Sequence, residues 1–373
     1  MRKPGATIPC MDSALEQLQE RVRAAHADHR PLRIRGGGTK DFHGARALAG
    51  EILDTRAFTG IVSYEPSELV VTVRAGTPLA ELQALLAQQG QCLPFDPPHF
   101  GAGATVGGAV SAGLSGPARA SVGAVRDFML GVELINGRAD RLRFGGQVMK
   151  NVAGYDVSRL VAGAWGTLGV LTEVSLKVLP VAPAEATLRF ECTQAEALAR
   201  LNRWGAQPLP LNASCWVRDA GRGQLYLRLR GAVAAVESAC RTLGGERQDN
   251  AQVAPDWTAC REQTLPWFAQ RAAGHALWRL SVPDTAPELA LPAAAGEPLL
   301  EWHGALRWVQ APPDCAQALH EAARAVGGFA TLFRAESSSV SRTTALLDAK
   351  SPALAAIEAR VCEAFDPVGL FRS

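Results

Sequence analysis

The sequence predicts a mixed α+β fold that is built in two parts. Predicted helices and strands follow one another without a clean β–α alternation. Of the 36 glycines, 24 lie before residue 181, whereas seven of the eight tryptophans lie after it. The segment Pro180-Val181-Ala182-Pro183 separates the two compositions and indicates a domain boundary. We therefore expect a first part in which backbone segments approach closely, and a second part filled by large aromatic side chains.

The first part is predicted to begin with a helix over residues 13–28, because Ser13-Ala14-Leu15-Glu16 has the form of a capping box. Thr77 and Pro78 resemble the N-cap and first residue of a second helix, which ends at Gly90. Asn136-Gly137 is typical of a type I′ turn and predicts a hairpin. The predicted strands of this part are 32–34, 52–53, 61–64, 69–73, 128–135, 138–142 and 169–178.

The second part restarts the pattern in the order βαββα, which indicates a ferredoxin-like unit. Thr193-Gln194-Ala195-Glu196 is a capping box and begins its first helix, which ends at Gly205. A stretch rich in proline and alanine, 283–298, predicts a surface loop, and Ser351-Pro352 begins the last helix. The other predicted elements are strands at 188–190, 214–217, 225–229, 306–310 and 330–333, and helices at 232–243 and 314–326.

Composition excludes several classes of protein. The chain has 373 residues, 47% hydrophobic and 20% charged, which is typical of a globular protein with a sizeable core. A net charge of +2 argues against a protein built around nucleic acid. No run of about 18 apolar residues predicts a membrane span, and no apolar region near the N-terminus indicates a signal peptide. The eight cysteines contain no CxxC pair and the seven histidines no ligand spacing, so we expect no metal site and reduced thiols.

The segment Arg35-Gly36-Gly37-Gly38-Thr39-Lys40 follows a predicted strand. Three successive glycines let backbone N–H groups point together into a concavity that holds phosphate oxygens. Thr39 adds a hydroxyl group, and Arg35 or Lys40 adds a positive charge. The order Gly-Thr-Lys differs from that of a P-loop, so the segment does not indicate an ATPase. The alternative is a plain flexible turn, and the motif alone does not decide between the two.

A second glycine-rich segment, 101–116, does not match the dinucleotide-binding fingerprint, because Gly107 comes one residue too late and no strand precedes it. Within it, Thr105-Val106-Gly107-Gly108 is typical of a helix N-terminus that lies against a flat surface, and helix N-termini favour anions. The alternative is tight packing of a helix on a sheet, which also requires glycine. Two such loops about 65 residues apart indicate a large ligand between two subdomains.

Long ordered blocks of the chain resemble a known family. They are GGGTK at 36–40, EPSELVVTVRAGTPLAELQALLAQQGQCLPFDPP at 65–98, ATVGGAVSAGLSG at 104–116, VRDFMLGVELINGR at 125–138, KNVAGYDVSRLVAGAWGTLGVLTEVSLKVLP at 150–180 and FDPVGLF at 365–371. These blocks resemble FAD-linked oxidoreductases with the vanillyl-alcohol-oxidase (PCMH-type) FAD domain. They are more closely similar to the FAD-binding subunit of bacterial glycolate oxidase, beside the D-lactate dehydrogenases.

The resemblance implies a fold and a domain division. The fold is α+β, with a PCMH-type FAD-binding domain of two α/β subdomains and a smaller ferredoxin-like cap. The FAD-binding domain is expected at 1–182, with subdomains at about 1–55 and 56–182. The cap is expected at 183–330, and residues 331–373 are expected to return to the FAD-binding domain.

The resemblance also implies the residues that bind FAD. Arg35 to Lys40 match the family's loop around the FAD diphosphate, and 105–108 match a segment along the flavin ring and diphosphate. Tyr155 belongs to a loop that closes over the flavin, although it and Asp156 are alternatively a buried hydrogen-bonded pair. The full implied set is Arg35, Gly36, Gly37, Gly38, Thr39, Lys40, Pro98, Thr105, Val106, Gly107, Gly108, Ser111, Ser115, Tyr155, Gly166, Gly169 and Val170. Because the diphosphate loop lacks the His or Cys to which some relatives attach FAD, we expect FAD to bind non-covalently.

The implied reaction is oxidation of a 2-hydroxy acid such as glycolate by hydride transfer to flavin. A base must take the hydroxyl proton, and a cation must hold the carboxylate. The candidate residues for the substrate site are His303, Arg334 and Glu336. Ion pairs at the surface, or ion pairs that close the fold, are the alternative for these residues. The implied partners are a larger homologous FAD subunit and an iron–sulfur subunit. The expected location is the cytoplasm, with any membrane contact peripheral and through the complex. The alternatives are a stand-alone dehydrogenase of another acid such as D-lactate, and a non-catalytic flavin-bearing scaffold subunit.

Overall fold

The computed structural model describes residues 9–43, 50–146, 156–335 and 351–371, with side chains from residue 13 onward. Two large sheets organise these residues. A five-stranded sheet takes all its strands from residues 61–177, and an eight-stranded sheet takes all its strands from residues 184–334. We call the residues before 184 together with 351–371 the first body, and residues 184–334 the cap.

The first body contains nine strands and six α-helices among the described residues. In chain order these are α1 Pro9–Ala27, β1 Leu32–Arg35, β2 Glu51–Asp54, β3 Ile61–Glu65, β4 Val70–Arg74, α2 Leu79–Gln88, β5 Gln91–Cys92, α3 Val106–Ala112, α4 Arg119–Val122, β6 Met129–Ile135, β7 Arg141–Gly145, α5 Val157–Leu160, β8 Val170–Lys177 and β9 Leu179–Pro180. The sixth helix comes after the cap and is described with it.

The first body has two cores. The antiparallel sheet β3-β4-β8-β6-β7 packs α2 and α3 on one face, because its central strands carry Val and Leu that are almost fully buried. A smaller core joins α1 to the parallel pair β1-β2. Leu370 and Phe371 belong to this smaller core, and Leu32 N–H donates to the carbonyl of Leu370 at 2.8 Å. The C-terminal segment therefore completes the first body.

The cap is followed by one helix of the first body. Its elements are β10 Ala184–Glu191, α6 Gln194–Gly205, β11 Leu211–Asp219, β12 Arg222–Gly231, α7 Val233–Leu243, β13 Glu246–Gln248, α8 Asn250–Glu262, α9 Pro266–Ala269, β14 Ala276–Ser281, β15 Leu299–Glu301, β16 Leu306–Ala311, α10 Ala316–Arg324 and β17 Phe329–Arg334, and the helix that follows is α11 Pro352–Phe365. The capping box predicted at Thr193 and the helix start predicted at Ser351 are confirmed: the two hydroxyl groups accept hydrogen bonds from Glu196 N–H and Leu354 N–H.

The cap sheet has an internal repeat. Its strand order is β13-β10-β12-β11-β15-β16-β14-β17. The first four strands have the order 4-1-3-2, and the last four have the mirrored order 2-3-1-4, so each half is a ferredoxin-like unit. The antiparallel pair β11·β15 joins the two halves edge to edge. In the second half, the loop 282–298 replaces the first helix, as its proline and alanine content predicts.

Aromatic side chains fill the junction between the cap and the first body. Ala112 and Leu114 of the first body share a buried cluster with Trp257, Trp302 and Trp308 of the cap. The carboxylate of Glu262 in the cap accepts hydrogen bonds from His99 N–H at 3.0 Å and Phe100 N–H at 2.7 Å. Tryptophans of the second half therefore fill the space between the cap and the first body.

Three local predictions were wrong. Ser13 lies inside α1, which begins at Pro9. Thr77 does not cap α2; its hydroxyl accepts from Gly60 N–H at 2.9 Å instead, and Pro78 is the N-cap residue. β6 and β7 are joined by the five residues 136–140 rather than by a two-residue turn.

The cause of this longer turn is tertiary. Gly137 N–H donates to the carbonyl of Phe365 at 2.8 Å, and a Cβ on Gly137 would lie 2.8 Å from the Cα of Asp366. The C-terminal segment therefore sets the conformation of the turn. At the other end of the cap, residues 331–334 pair with β14, so they lie in the cap sheet rather than in the returning segment.

Candidate flavin site and the cap junction

A cleft opens between the loop after β1 and the N-terminal end of α3. It is also lined by Trp165 and Leu171, and Phe371 reaches it from the C-terminal segment. Eleven of the predicted cofactor residues line this cleft: Arg35–Lys40, Thr105, Gly107, Gly108, Ser111 and Gly166. These predicted cofactor residues lie up to 131 positions apart in the sequence, and the fold brings them to one surface.

The glycine loop presents unpaired backbone donors. The N–H groups of Gly36, Gly37 and Gly38 donate to no other group within the part of the chain that the structure describes. Gly38 has φ +68°, and a Cβ on Gly37 would lie 1.6 Å from the carbonyl oxygen of Gly103. The two glycine-rich loops can therefore touch only because neither carries a side chain there. Free N–H groups in such a loop form a site for phosphate oxygens.

The N-terminus of α3 has a different role. Val106 N–H donates to the carbonyl of Thr77 at 2.9 Å, and Gly107 N–H donates to the carbonyl of Ala75 at 2.7 Å. Gly108 N–H donates to the hydroxyl of Thr105, the N-cap residue. These donors are used within the protein, and a Cβ on Gly107 would lie 2.7 Å from that of Ala75. The observations favour the packing interpretation for Gly107, with the helix end forming the cleft wall.

Charged groups surround the glycine loop. Arg33 and Arg35 share the carboxylate of Asp41, at 2.5 Å and 2.9 Å, so two positive charges face one negative charge. Burial lowers the pKa of Lys40 to about 8, an effect that Glu262 partly opposes. The net charge beside the free N–H groups is therefore positive, as a diphosphate requires.

An aromatic pair closes one side of the cleft. The His43 ring stacks on Trp165 with centroids 4.0 Å apart. Burial lowers the pKa of His43 to about 4, with a further contribution from the positive charge of Arg279. His43 is therefore neutral at physiological pH and presents a flat ring to the cleft.

A second, smaller cavity lies between the first body and the cap. Its lining includes Pro98 and Ser115, two of the six predicted cofactor residues that do not line the cleft. From the cap it receives Gln263, Arg279 and Glu301. We call this cavity the junction chamber. The three cap residues are isolated on strands or a helix end and belong to no motif, so the sequence did not single them out.

The predicted catalytic residues are placed differently. His303 lines neither cavity: its ring nitrogens contact Ser121 Oγ at 2.9 Å and Ser214 Oγ at 3.2 Å, so it joins the cap to the first body. The guanidinium of Arg334 lies over the ring of Phe42 at 3.9 Å. These contacts support the fold-closing alternative for both residues, through hydrogen bonds and ring contacts rather than ion pairs. Glu336 and Tyr155 lie outside the described residues.

Three predicted cofactor residues have packing roles. Val106 is buried in the core of the first body, and Val170 is fully buried in β8. A Cβ on Gly169 would lie 2.6 Å from the carbonyl oxygen of Ile135, so this glycine serves the approach of β8 to β6. Among the described residues, no group of three or more His, Cys, Asp or Glu side chains could hold a metal ion. No helix among them is long and apolar enough to cross a membrane.

Comparisons with known proteins decide the family. Residues 13–145 match a family model described as an FAD binding domain. The glycolate oxidase subunit GlcE of Escherichia coli K12 is 47% identical over 321 residues, which cover 86% of this chain and 87% of that protein. The chain belongs to the GlcE family. The resemblance inferred from the sequence blocks is confirmed, and so is FAD as the cofactor.

More distant relatives of this GlcE-family chain match less than half of it. The glycolate oxidase subunit GlcD of Bacillus subtilis is 31% identical over 45% of this chain and 36% of its own length. A D-lactate dehydrogenase of Archaeoglobus fulgidus is 30% identical over 44% of this chain and 37% of that enzyme. An alkyldihydroxyacetonephosphate synthase structure superposes over 96% of the chain and 74% of its own, with a TM-score of 0.67 at 14% identity, which shows the fold alone. The predicted α+β FAD-binding fold is confirmed.

Proposed function

We propose that the chain is the FAD-binding subunit of a glycolate oxidase complex that oxidises glycolate to glyoxylate. One observation carries the proposal: a cleft with unpaired N–H groups at Gly36, Gly37 and Gly38 lies within a chain of the GlcE family. The function of the E. coli relative, as its name states it, supplies the substrate.

The residues of the cleft fit FAD. The loop 36–38 would bind the diphosphate through its free N–H groups, and the positive charges of Arg33, Arg35 and Lys40 would balance it. Ser111 on the cleft wall, and Pro98 and Ser115 in the junction chamber, would follow the ribityl chain and the ring. When bound, the flavin supplies a hydride acceptor. We propose that binding is non-covalent and that the domains divide at 182/183.

Electrons from the reaction must then leave the subunit. We propose that they pass to an iron–sulfur partner, and that a larger homologous FAD subunit belongs to the same complex. Support comes from the names of the relatives, which describe two different subunits, GlcE and GlcD. We further propose that the complex is cytoplasmic and that the chain meets a membrane only through its partners.

The experiment compares the chain alone with the chain co-expressed with the larger FAD subunit and the iron–sulfur subunit. The purified chain should be yellow, should release intact FAD on denaturation, and should reduce an artificial electron acceptor with glycolate only in the complex. Faster oxidation of D-lactate than of glycolate by the isolated chain would identify a stand-alone dehydrogenase. A complex that retains full activity without this chain, or a chain that takes up no FAD, would contradict the proposal.

A further inference from the structure

A turn of the first body, residues 99–103, lies against the glycine loop. A Cβ on Gly37 would lie 1.6 Å from the carbonyl oxygen of Gly103, and a Cβ on Gly101 would lie 3.3 Å from Thr39 Cγ2. The turn and the loop are therefore in contact at more than one residue of each. Because closely packed segments transmit displacements, a shift of this turn would also shift the N–H groups that face the cleft.

Glu262, the last residue of α8 in the cap, binds the backbone of this turn. Its Oε2 accepts hydrogen bonds from His99 N–H at 3.0 Å and from Phe100 N–H at 2.7 Å. Phe100 has φ +55°, a left-handed conformation that is uncommon for a residue with a large side chain. Such a conformation persists only where its surroundings fix it, and two hydrogen bonds to one carboxylate do so here. A cap residue therefore sets the shape of a turn that belongs to the first body.

Lys40 connects the turn to the glycine loop through its side chain. Its Nζ donates to the carbonyl of His99 at 3.3 Å and lies 5.5 Å from the centroid of the Phe100 ring. The residues that donate to Glu262 are thus the residues that Lys40 contacts. Burial lowers the pKa of Lys40 to about 8, and the negative charge of Glu262 acts in the opposite direction. Without that charge, we expect the lysine to lose its proton at a lower pH.

The other ionisable groups around Lys40 keep one charge state over the pH range that matters. They are Asp41 with its partners Arg33 and Arg35, His43, His99, and Arg261 and Arg334 of the cap. Aspartate and arginine stay charged between about pH 7 and pH 9. Burial lowers the pKa of both histidines, so their rings are neutral in this range. A change of FAD affinity between these pH values would therefore report on Lys40.

Arg261 moderates the effect of Glu262 but does not cancel it. Arg261 Nε donates to Glu262 Oε1 at 2.7 Å, which leaves Oε2 to the two N–H groups of the turn. The carboxylate still raises the pKa of Lys40 in the presence of this arginine. The same carboxylate thus acts on the glycine loop in two ways, by hydrogen bonds to the turn and by its charge.

We propose that Glu262 is a positioning residue for FAD: its carboxylate fixes the 99–103 turn against the glycine loop, and its negative charge stabilises the Lys40 ammonium group beside that loop. Among the described residues, those that line the cleft all lie outside the cap. The cofactor site nevertheless depends on the cap, through a residue that does not touch the cofactor. This inference rests on the proposed binding of the FAD diphosphate at the loop 36–38.

The test measures the FAD affinity of the full chain between about pH 6.5 and pH 9.5 by quenching of flavin fluorescence. Glu262→Gln keeps one hydrogen-bond acceptor but removes the charge. We expect its FAD affinity at pH 7.5 to fall by about tenfold, because hydrogen bonds to a charged group are lost. The midpoint of the pH dependence should also move down by roughly one unit, as on removal of a nearby opposite charge. Glu262→Asp keeps the charge, so it should weaken binding through its shorter side chain and leave the midpoint unchanged.

Ser121→Ala is the matched control for a loosened cap. Ser121 Oγ contacts His303 Nε2 at 2.9 Å across the same junction, and neither residue lines the cleft. This variant should leave both the FAD affinity at pH 7.5 and the midpoint unchanged. The double variant Glu262→Gln/Lys40→Met should show no pH dependence, as Lys40→Met alone, because the charge of Glu262 acts through this lysine.

Four results would overturn the proposal: an unchanged midpoint or an unchanged affinity in Glu262→Gln, full FAD affinity in Glu262→Asp, or an equal midpoint shift in Ser121→Ala. Circular dichroism confirms that each variant folds, and Glu262→Asp decides the matter if Glu262→Gln does not. Acetylation of Lys40 at increasing pH, followed by mass spectrometry, measures the same midpoint without FAD. If the chain takes up no FAD, the proposed function fails, whereas the acetylation midpoint still decides whether Glu262 acts on Lys40.

Discussion

The cleft and the junction chamber are built by opposite means. The cleft presents backbone N–H groups, and the residues that shape it are Gly36, Gly37, Gly38 and Gly103, which contribute by lacking side chains. The chamber presents side chains, chiefly Arg279 on a strand, Gln263 at a helix end and Trp302 in the turn after β15. A backbone site requires a fixed run of glycines and so leaves a motif. A side-chain site can be assembled from residues far apart in the chain and leaves none.

The largest expected effect tests the backbone site. Gly37→Ala would place a Cβ 1.6 Å from the carbonyl oxygen of Gly103, so the two loops would have to separate. We expect complete loss of bound FAD, measured as the ratio of flavin to protein absorbance. Gly205→Ala is the control, because no heavy atom lies within 4 Å of the added Cβ. A Gly37→Ala protein with one FAD per chain would show that the cleft does not depend on this close approach.

The next prediction concerns the contact that holds cap and first body together. Arg228 Nη2 in the cap donates to Asp96 Oδ2 in the first body at 2.8 Å, with side-chain exposures of 5% and 18%. Asp96→Asn keeps the size of the side chain but leaves a buried guanidinium without its carboxylate, which costs about 3 kcal/mol of the free energy of unfolding. Urea denaturation measures this loss.

Asp54→Asn is the control for this buried pair, because Asp54 pairs with Arg56 at the surface, where exposures are 41% and 63%. Its loss should be below about 1 kcal/mol. If both variants lose the same free energy, the buried pair contributes no more than a surface pair and the junction is held by its aromatic contacts.

The smallest effect is a pH dependence of the cleft. Burial lowers the pKa of Lys40 to about 8, so its charge is present below pH 8 and is lost as the pH rises above it. FAD affinity, followed by quenching of flavin fluorescence, should therefore fall by several-fold between pH 7 and pH 9. Bound diphosphate itself favours the charged form and spreads the loss to higher pH. Lys40→Met should remove this dependence, whereas Lys177→Met, at the end of β8, should leave it unchanged.

The sequence was informative where local chemistry decides the structure. The glycine loop at 36–38, the capping box at Thr193 and the ferredoxin-like strand order were all predictable, because each depends on neighbouring residues. The turn at Asn136-Gly137 was not, because its conformation is set by a hydrogen bond to Phe365, more than 200 residues away. The prediction that Thr77 caps α2 was wrong for the same reason, because its hydroxyl group accepts a hydrogen bond from Gly60 N–H instead.

The residues of the candidate site also differ in whether the sequence predicted them. Arg35–Lys40 and Gly107 were predictable from motif and resemblance, whereas Arg279 and Gln263 were not. The candidate that the sequence analysis took from the cap was His303, whose ring contacts two serine hydroxyl groups instead of lining a cavity. Arg279 meets Glu301 in the chamber although the two residues lie on different strands, and only the three-dimensional arrangement shows this.

The return of the chain to the first body has a consequence for biosynthesis. Phe371 lines the cleft, and the carbonyl of Leu370 accepts the hydrogen bond of Leu32 N–H at the base of β1. The glycine loop therefore leaves the ribosome more than 300 residues before its last neighbour is translated. Since the cap lies between them in the sequence, the cap can fold before the last residues that line the cleft are translated. A ribosome-bound chain stalled before Leu370 would therefore lack part of the cofactor site.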